Sequence, residues 1–151
     1  MENTALLIID VQKSAVQAFP NLPQKIEKLQ EKCQNIFVSS YTSKGSVLPD
    51  LLSWGGCDDE SLAFIPAERA KVFTKTVYTS FIPDLKRFKE VHICGFDTDA
   101  CVYKTALDLV EAGIRPVVLS DYCGSENEEL HFVALKLLKR NIGADNVINH
   151  I

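Results

Sequence analysis

Apolar runs alternate with amphipathic stretches along the chain, and no internal repeat or low-complexity linker interrupts them. The run Ala5-Leu-Leu-Ile-Ile9 is short enough for a strand buried on both faces and stops abruptly at Asp10. After Leu22-Pro23, where proline suits a first helical turn, Ile26, Leu29 and Cys33 recur at helical spacing and predict a helix up to Asn35. Ile36 to Val38 predicts a second strand, and Lys71 to Thr74 a third running into Lys75. The stretch from Thr42 to Ala70 between them is the least regular.

Pro83 to Lys89 predicts a short helix, and Val91 to Phe96 a strand ending in the turn Asp97-Thr98-Asp99. From Asp99, an N-cap residue type, Val102, Ala106, Leu109 and Val110 form an apolar stripe that stops at Gly113. Pro116 to Leu119 reads as the next strand, with proline at its start. Ser125 and Glu128 have the spacing of a capping box, opening a helix whose Leu130, Ala134, Leu137 and Leu138 are expected to face the core as far as about Arg140. Asn146 to Ile148 predicts a last short strand.

This rhythm is that of an α/β fold: parallel strands joined by helices on both faces, a three-layer α/β/α, Rossmann-like sandwich. With 151 residues, the expectation is one domain over 1–151. In such folds functional loops gather at the carboxyl ends of the strands, where the strand order reverses. A hydrophobic content of 46% with 24% charged residues excludes long disorder. Sixteen basic against twenty acidic residues give a net charge of −4, which argues against nucleic acid as the main partner. Met-Glu-Asn-Thr ahead of a five-residue apolar run lacks the basic region of a signal peptide, and neither export nor membrane spanning is expected. Five cysteines without a CxxC fit reduced thiols in the cytoplasm better than a disulfide framework or a zinc ribbon.

Three side chains with chemical potential fall at predicted strand ends: Asp10, Lys75 and Cys101, the last inside the first turn of a helix. Each alone has an ordinary structural explanation; placed in one crevice they make a nucleophile, a base and a cation. A helix N-terminus and a nearby lysine are influences that lower a thiol's pKa into a reactive range. The set supports nucleophilic acyl transfer, with Cys101 attacking a carbonyl and Asp10 taking its proton and returning one to the leaving amine. The turn Gly95-Phe-Asp-Thr-Asp-Ala-Cys101 offers backbone N–H groups for the oxygen of a tetrahedral intermediate.

At these residues the chain resembles the isochorismatase-like cysteine hydrolases, which include nicotinamidases and N-carbamoylsarcosine amidohydrolases. Ala5-Leu-Leu-Ile-Ile-Asp-Val-Gln12 is similar to that family's first strand, Lys75-Thr-Val-Tyr-Thr-Ser-Phe81 to its lysine segment, and Gly95-Phe-Asp-Thr-Asp-Ala-Cys-Val102 to its nucleophile turn. The resemblance implies a six-stranded parallel sheet of order 3-2-1-4-5-6 and a catalytic triad of Asp10, Lys75 and Cys101. It also implies an acyl-thioester intermediate, an oxyanion hole from the N–H groups of Asp97 and Cys101, and a cis peptide between Phe96 and Asp97. Gln12, Phe19 and Tyr78 match pocket-lining positions, and Trp54 is expected as an aromatic wall. The implied partners are a small-molecule substrate and a second copy of the chain, in a homodimer or homotetramer.

The nicotinamidases of that family hold a metal with an aspartate and histidines after the second strand. Here Ser39-Ser-Tyr-Thr-Ser-Lys-Gly-Ser-Val-Leu-Pro-Asp-Leu51 has no histidine, and His92, His131 and His150 are scattered. No metal or other cofactor is expected, and nicotinamide is demoted as a substrate. The leading expectation is a hydrolase of a small amide, ureide or related C–N bond. The alternatives are a non-hydrolytic binding or redox-responsive protein on the same fold, a vinyl-ether hydrolase of the isochorismatase type, and, last, a nucleotide-binding domain, for which neither GxGxxG nor GxxxxGK[ST] is present. The carboxylate of Asp97, beside the proposed oxyanion turn, is expected to point away from the pocket or to meet a cationic group of the substrate.

Overall fold

A computed structural model describes residues 3–151; Met1 and Glu2, part of the expected 1–151 domain and of the N-terminal stretch read above, lie outside the described residues. Six strands, β1 (Thr4–Ile9), β2 (Ile36–Tyr41), β3 (Lys71–Lys75), β4 (Glu90–Phe96), β5 (Arg115–Gly124) and β6 (Val147–Ile148), pair in the order β3-β2-β1-β4-β5-β6. Every pairing is parallel. The fold class and the strand order are therefore those expected. The order reverses at β1, which pairs with β2 on one side and β4 on the other. Right-handed crossovers in opposite directions from that point put helices on both faces.

Burial explains the composition of the central strands. Leu7, Ile8, Ile9, Ile93 and Cys94 have no exposed surface, as expected where helices cover both faces of a parallel sheet. Gly95 is a necessity of the β1–β4 contact: a Cβ there would stand 1.9 Å from the Ile9 carbonyl oxygen, and its φ of 119° lies outside what side-chain-bearing residues adopt.

The helices are α1 (Leu22–Glu31), the one-turn α2 (Leu48–Leu51), α3 (Tyr103–Glu111) and α4 (Glu128–Ile142), with a 3₁₀ turn over Pro83–Arg87 where a short helix was expected. α1 ends four residues before Asn35. Its last carbonyls are met by Arg69, whose guanidinium donates to the Gln30 and Cys33 oxygens, both at 2.6 Å. β2 and β5 run beyond their apolar cores into polar residues, Ser39–Tyr41 and Ser120–Gly124. The register of β5 against β4 jumps from Ile93–Val118 to Gly95–Cys123, a bulge that lets the strand lengthen.

Two caps differ from expectation. Asp99 does not cap α3: the chain leaves β4 through a cis Phe96–Asp97 peptide and wraps Thr98–Val102 into a wide π turn, with the Val102 N–H on the Asp97 carbonyl at 3.1 Å. α4 is capped by Asn127, which accepts from the Leu130 N–H at 3.0 Å, and not by Ser125, whose hydroxyl donates to Asp99 Oδ1 at 2.6 Å. The core face of α4 is Ala134, Leu138 and Ile142; Leu130 and Leu137 are exposed, as is Val110 on α3. No helix among the described residues is long and apolar enough to cross a membrane.

Candidate active site

Three strand ends and one turn converge at the carboxyl edge of the sheet. β1 ends at Asp10, whose φ of 52° is tolerated by a short polar residue and turns its carboxylate under the strand edge. β3 ends at Lys75, and the π turn after β4 carries Cys101. Lys75 Nζ lies 2.9 Å from Asp10 Oδ2 and 3.4 Å from Cys101 Sγ, and donates to the Val77 and Tyr78 carbonyls at 2.9 and 2.8 Å. The Lys75 and Asp10 side chains are 5% and 9% exposed, so the ion pair is desolvated, and these hydrogen bonds hold it in place.

A second layer holds this group from behind. Ser39, fully buried at the carboxyl half of β2, donates to Asp10 Oδ1 at 3.0 Å and shares a 2.7 Å hydrogen bond with the hydroxyl of buried Ser80. With the Ser39 proton committed to Asp10, Ser80 is the donor between the two hydroxyls. The Ser80 N–H in turn donates to Thr105 Oγ1 at 2.9 Å, and Thr105 donates to the Cys101 carbonyl at 2.7 Å. Asp10 and the turn bearing Cys101 are thus fastened to each other through three buried hydroxyls that sequence reasoning missed. The one signal for them is the change from Ile-Phe-Val to Ser-Ser inside β2.

The Cys101 thiol is not lowered into a reactive range, as its place near a helix start and a lysine had suggested. It is pushed up to about 12, chiefly by burial and next by the Asp10 carboxylate, against a downward pull from Lys75. A protonated thiol beside a carboxylate suits proton removal at the moment of attack better than a standing thiolate.

Above the group opens a cavity of about 460 Å³ lined by Asp10, Cys101, Phe96 and Asp97 at its floor. Its β2–β3 side is aromatic and aliphatic, with Tyr41, Leu48, Leu52, Trp54 and Tyr78; the Tyr41 and Trp54 rings lie 5.6 Å apart. The irregular stretch expected over 42–70 therefore builds a wall of the pocket. Gln12 also lines it, but its amide is spent on the backbone: it bonds the Tyr41 oxygen at 3.0 Å, the Tyr41 N–H at 2.8 Å and the Asp59 oxygen at 3.1 Å. Phe19 stands behind the pocket, its ring 5.1 Å from Phe96 and packed over Gly124, where a Cβ would collide with both rings.

The Asp97 N–H has no backbone acceptor among the described residues, while its carbonyl takes the N–H groups of Ala100 and Val102. Asp97 lines the cavity, and its carboxyl is pushed up to about 7 by burial, then by the carboxylates of Asp99, Glu126 and Asp10; the Glu126 N–H acts in the opposite sense. All five cysteines are unpaired.

Residues 4–147 match the family model described as the isochorismatase domain. The chain belongs to the isochorismatase family. Isochorismatase family protein 2B of Dictyostelium discoideum is 26% identical over 157 residues, covering 91% of this chain and 70% of that protein. Isochorismatase domain-containing protein 2 of Rattus norvegicus is 32% identical over 82 residues, covering 50% of this chain and 39% of that one. Among solved structures, an isochorismatase-like hydrolase from Alkaliphilus metalliredigens superposes with a TM-score of 0.80 at 19% identity, covering 97% and 94% of the two chains. A nicotinamidase from Bacillus subtilis gives 0.77 at 21%, covering 97% and 99%. These last two show the isochorismatase fold.

Another neighbour, a pyrazinamidase of Pyrococcus horikoshii, was solved in complex with zinc. The residues of this isochorismatase-family chain do not fit such an ion: no histidine follows β2 before Leu51, and no group of three or more His, Cys, Asp or Glu among the described residues is placed to hold a metal.

Proposed function

We propose that the protein is a cysteine hydrolase of a small amide, ureide or related C–N bond, with Cys101 as nucleophile, Asp10 as general base and acid, and Lys75 as the cation that fixes Asp10. The observation that carries this reading is the position of Lys75 Nζ, 2.9 Å from Asp10 Oδ2 and 3.4 Å from Cys101 Sγ, beneath a cavity that Asp10 and Cys101 line. Membership of the isochorismatase family and the structural likeness to amidases support it.

In the first step Asp10 takes the Sγ proton as sulfur bonds to the substrate carbonyl carbon, and negative charge moves to the carbonyl oxygen. The N–H groups of Asp97 and Cys101 are the donors assigned to that oxygen; a donor of this kind is worth ~10²–10³ in rate. The C–N bond then breaks, and the proton held by Asp10 leaves with the amine. Water attacks the thioester, giving its proton to Asp10, and the C–S bond breaks to release the acid and restore the thiol. Lys75 holds the Asp10 carboxylate by its ion pair, and Ser39 fixes the other oxygen, so the base stays oriented through both half-reactions.

Rapid-quench intact-mass spectrometry on a panel of primary amides, scored in parallel by ammonia release, tests this. The expected result is a mass increase equal to the acyl group, mapped by peptide digestion to Cys101. Ammonia release without an adduct in the wild type that persists in Cys101→Ala would assign the amide chemistry to a group other than Cys101 and overturn this reading.

A further inference from the structure

The walls of the cavity differ in character. One side is apolar and aromatic, from Tyr41, Leu48, Leu52 and Trp54; the opposite side carries Asp97 and Glu126, and Asp58 and Asp59 stand at the rim. No lysine, arginine or histidine lines the cavity among the described residues. Lys75 lies below the floor and is spent on Asp10 and two carbonyls, and Lys13 acts on Asp59 at the rim. The carboxylates are dispersed and do not group to hold a metal ion. A pocket of this kind complements an extended organic cation with one apolar face.

The chemistry makes the same demand from another side. Asp97 lines the cavity on the turn whose N–H groups are assigned to the oxygen that develops negative charge, and ionisation of its side chain there would raise the barrier. A positive charge on the substrate, seated against Asp97, removes that repulsion and turns a hindrance into a binding contact. Resting on the amidase reading above, we infer that the substrate is a cationic amide: an ammonium, amidinium or guanidinium group seated between Asp97 and Glu126, on an apolar body that lies against Tyr41 and Trp54.

The test uses 4-(aminomethyl)benzamide and its neutral isostere 4-ethylbenzamide, with the bulkier 4-(carboxymethyl)benzamide as the anionic control. Equilibrium binding to Cys101→Ala by calorimetry is measured apart from turnover, so that recognition and reaction are read separately. The expected result is binding of the cation at least about tenfold tighter than the ethyl compound, equivalent to ~1.4 kcal/mol, with the anion weakest. Glu126→Gln, an exposed position, is expected to reduce that ratio, and Glu126→Gln with Asp97→Asn to bring it close to one. Circular dichroism checks that the variants are folded, and Glu126→Gln alone keeps the test decisive if Asp97→Asn is unstable. Equal or weaker binding of the cation, or binding of none of the three, overturns the inference. Turnover of the three amides without charge preference also overturns it while leaving the amidase reading intact. Charge-selective binding with no amide hydrolysed supports the inference and counts against the amidase reading alone.

Discussion

Cys101 and Cys123 are two thiols raised to a similar pKa, chiefly by burial, and with different prospects. Burial pushes both up to about 12. Cys123 is the last residue but one of β5, pairs in register with Gly95 and is 7% exposed. Cys101 stands on the π turn one loop away, reaches a cavity, and has the Asp10 carboxylate and the Lys75 ammonium beside it. The thiol's own pKa therefore does not mark the nucleophile. What separates the two is a neighbour able to take the proton and an opening through which a carbonyl can arrive. The largest expected effect follows: Cys101→Ala loses ~10⁴-fold or more in ammonia release on any amide that the wild type turns over, as removal of a nucleophile does elsewhere. Cys123→Ala stays active. Equal losses in two folded variants would erase the distinction.

Asp10→Asn sharpens the same contrast by separating thiol ionisation from catalysis. The Asp10 carboxylate raises the Cys101 pKa and Lys75 lowers it. Asparagine keeps the left-handed backbone and an acceptor for Ser39 but removes the charge, which leaves Lys75 unopposed and favours the thiolate. Turnover is expected to fall by ~10²–10⁴, the range for loss of a general base. Iodoacetamide labelling of Cys101 at pH 7, followed peptide by peptide, is expected to speed up in the same variant, while that of Cys123 does not change. Slower labelling of Cys101 would show that Asp10 is not what holds its proton.

The parts of this arrangement differ in how openly the sequence displays them. The apolar run broken by Asp10 marks a strand end because a fully buried strand tolerates no charge until it leaves the sheet, whereas β3 is a largely exposed edge strand whose one buried residue is Lys75 itself. The full lengths of β2 and β5 are hidden for a related reason: Ser39–Tyr41 and Ser120–Gly124 look like loop, yet they continue the ladder, and Ser39 serves the site from there. On α4, Leu130, Phe132, Val133, Leu135, Leu137 and Leu138 put apolar residues on more than one face, so periodicity alone does not say which face is buried. Ser125 has the spacing of a capping box, but its hydroxyl is taken by Asp99 across a contact 26 residues long in sequence. The acidic wall and the hydroxyl relay are assembled from segments far apart in the chain, and local pattern carries no information about such meetings.

The smallest expected effect concerns Asp97, the acidic counterpart of the two cysteines: a group that burial also keeps protonated, but near neutral pH. Its carboxyl is pushed from an ordinary 3.8 to about 7 by burial and by Asp99 in the turn, Glu126 after β5 and Asp10 at the end of β1, the last of these paired with Lys75 of β3. Between those two values the folded protein binds a proton that the unfolded chain has lost, so stability attributable to this group falls as pH rises from about 4 to about 7 and is level above. The loss amounts to a few kcal/mol at most, since a tenfold change in proton affinity corresponds to about 1.4 kcal/mol. Asp97→Asn removes the ionisation, and its thermal midpoint is expected to gain on the wild type more at pH 8 than at pH 5. An organic cation bound in the pocket favours the ionised Asp97 and is expected to raise the wild-type midpoint at pH 8 and do less for the variant. A variant whose difference from wild type is independent of pH would mean that Asp97 is ionised without cost in the empty pocket, and that the repulsion it poses to a developing oxyanion is already answered by the protein.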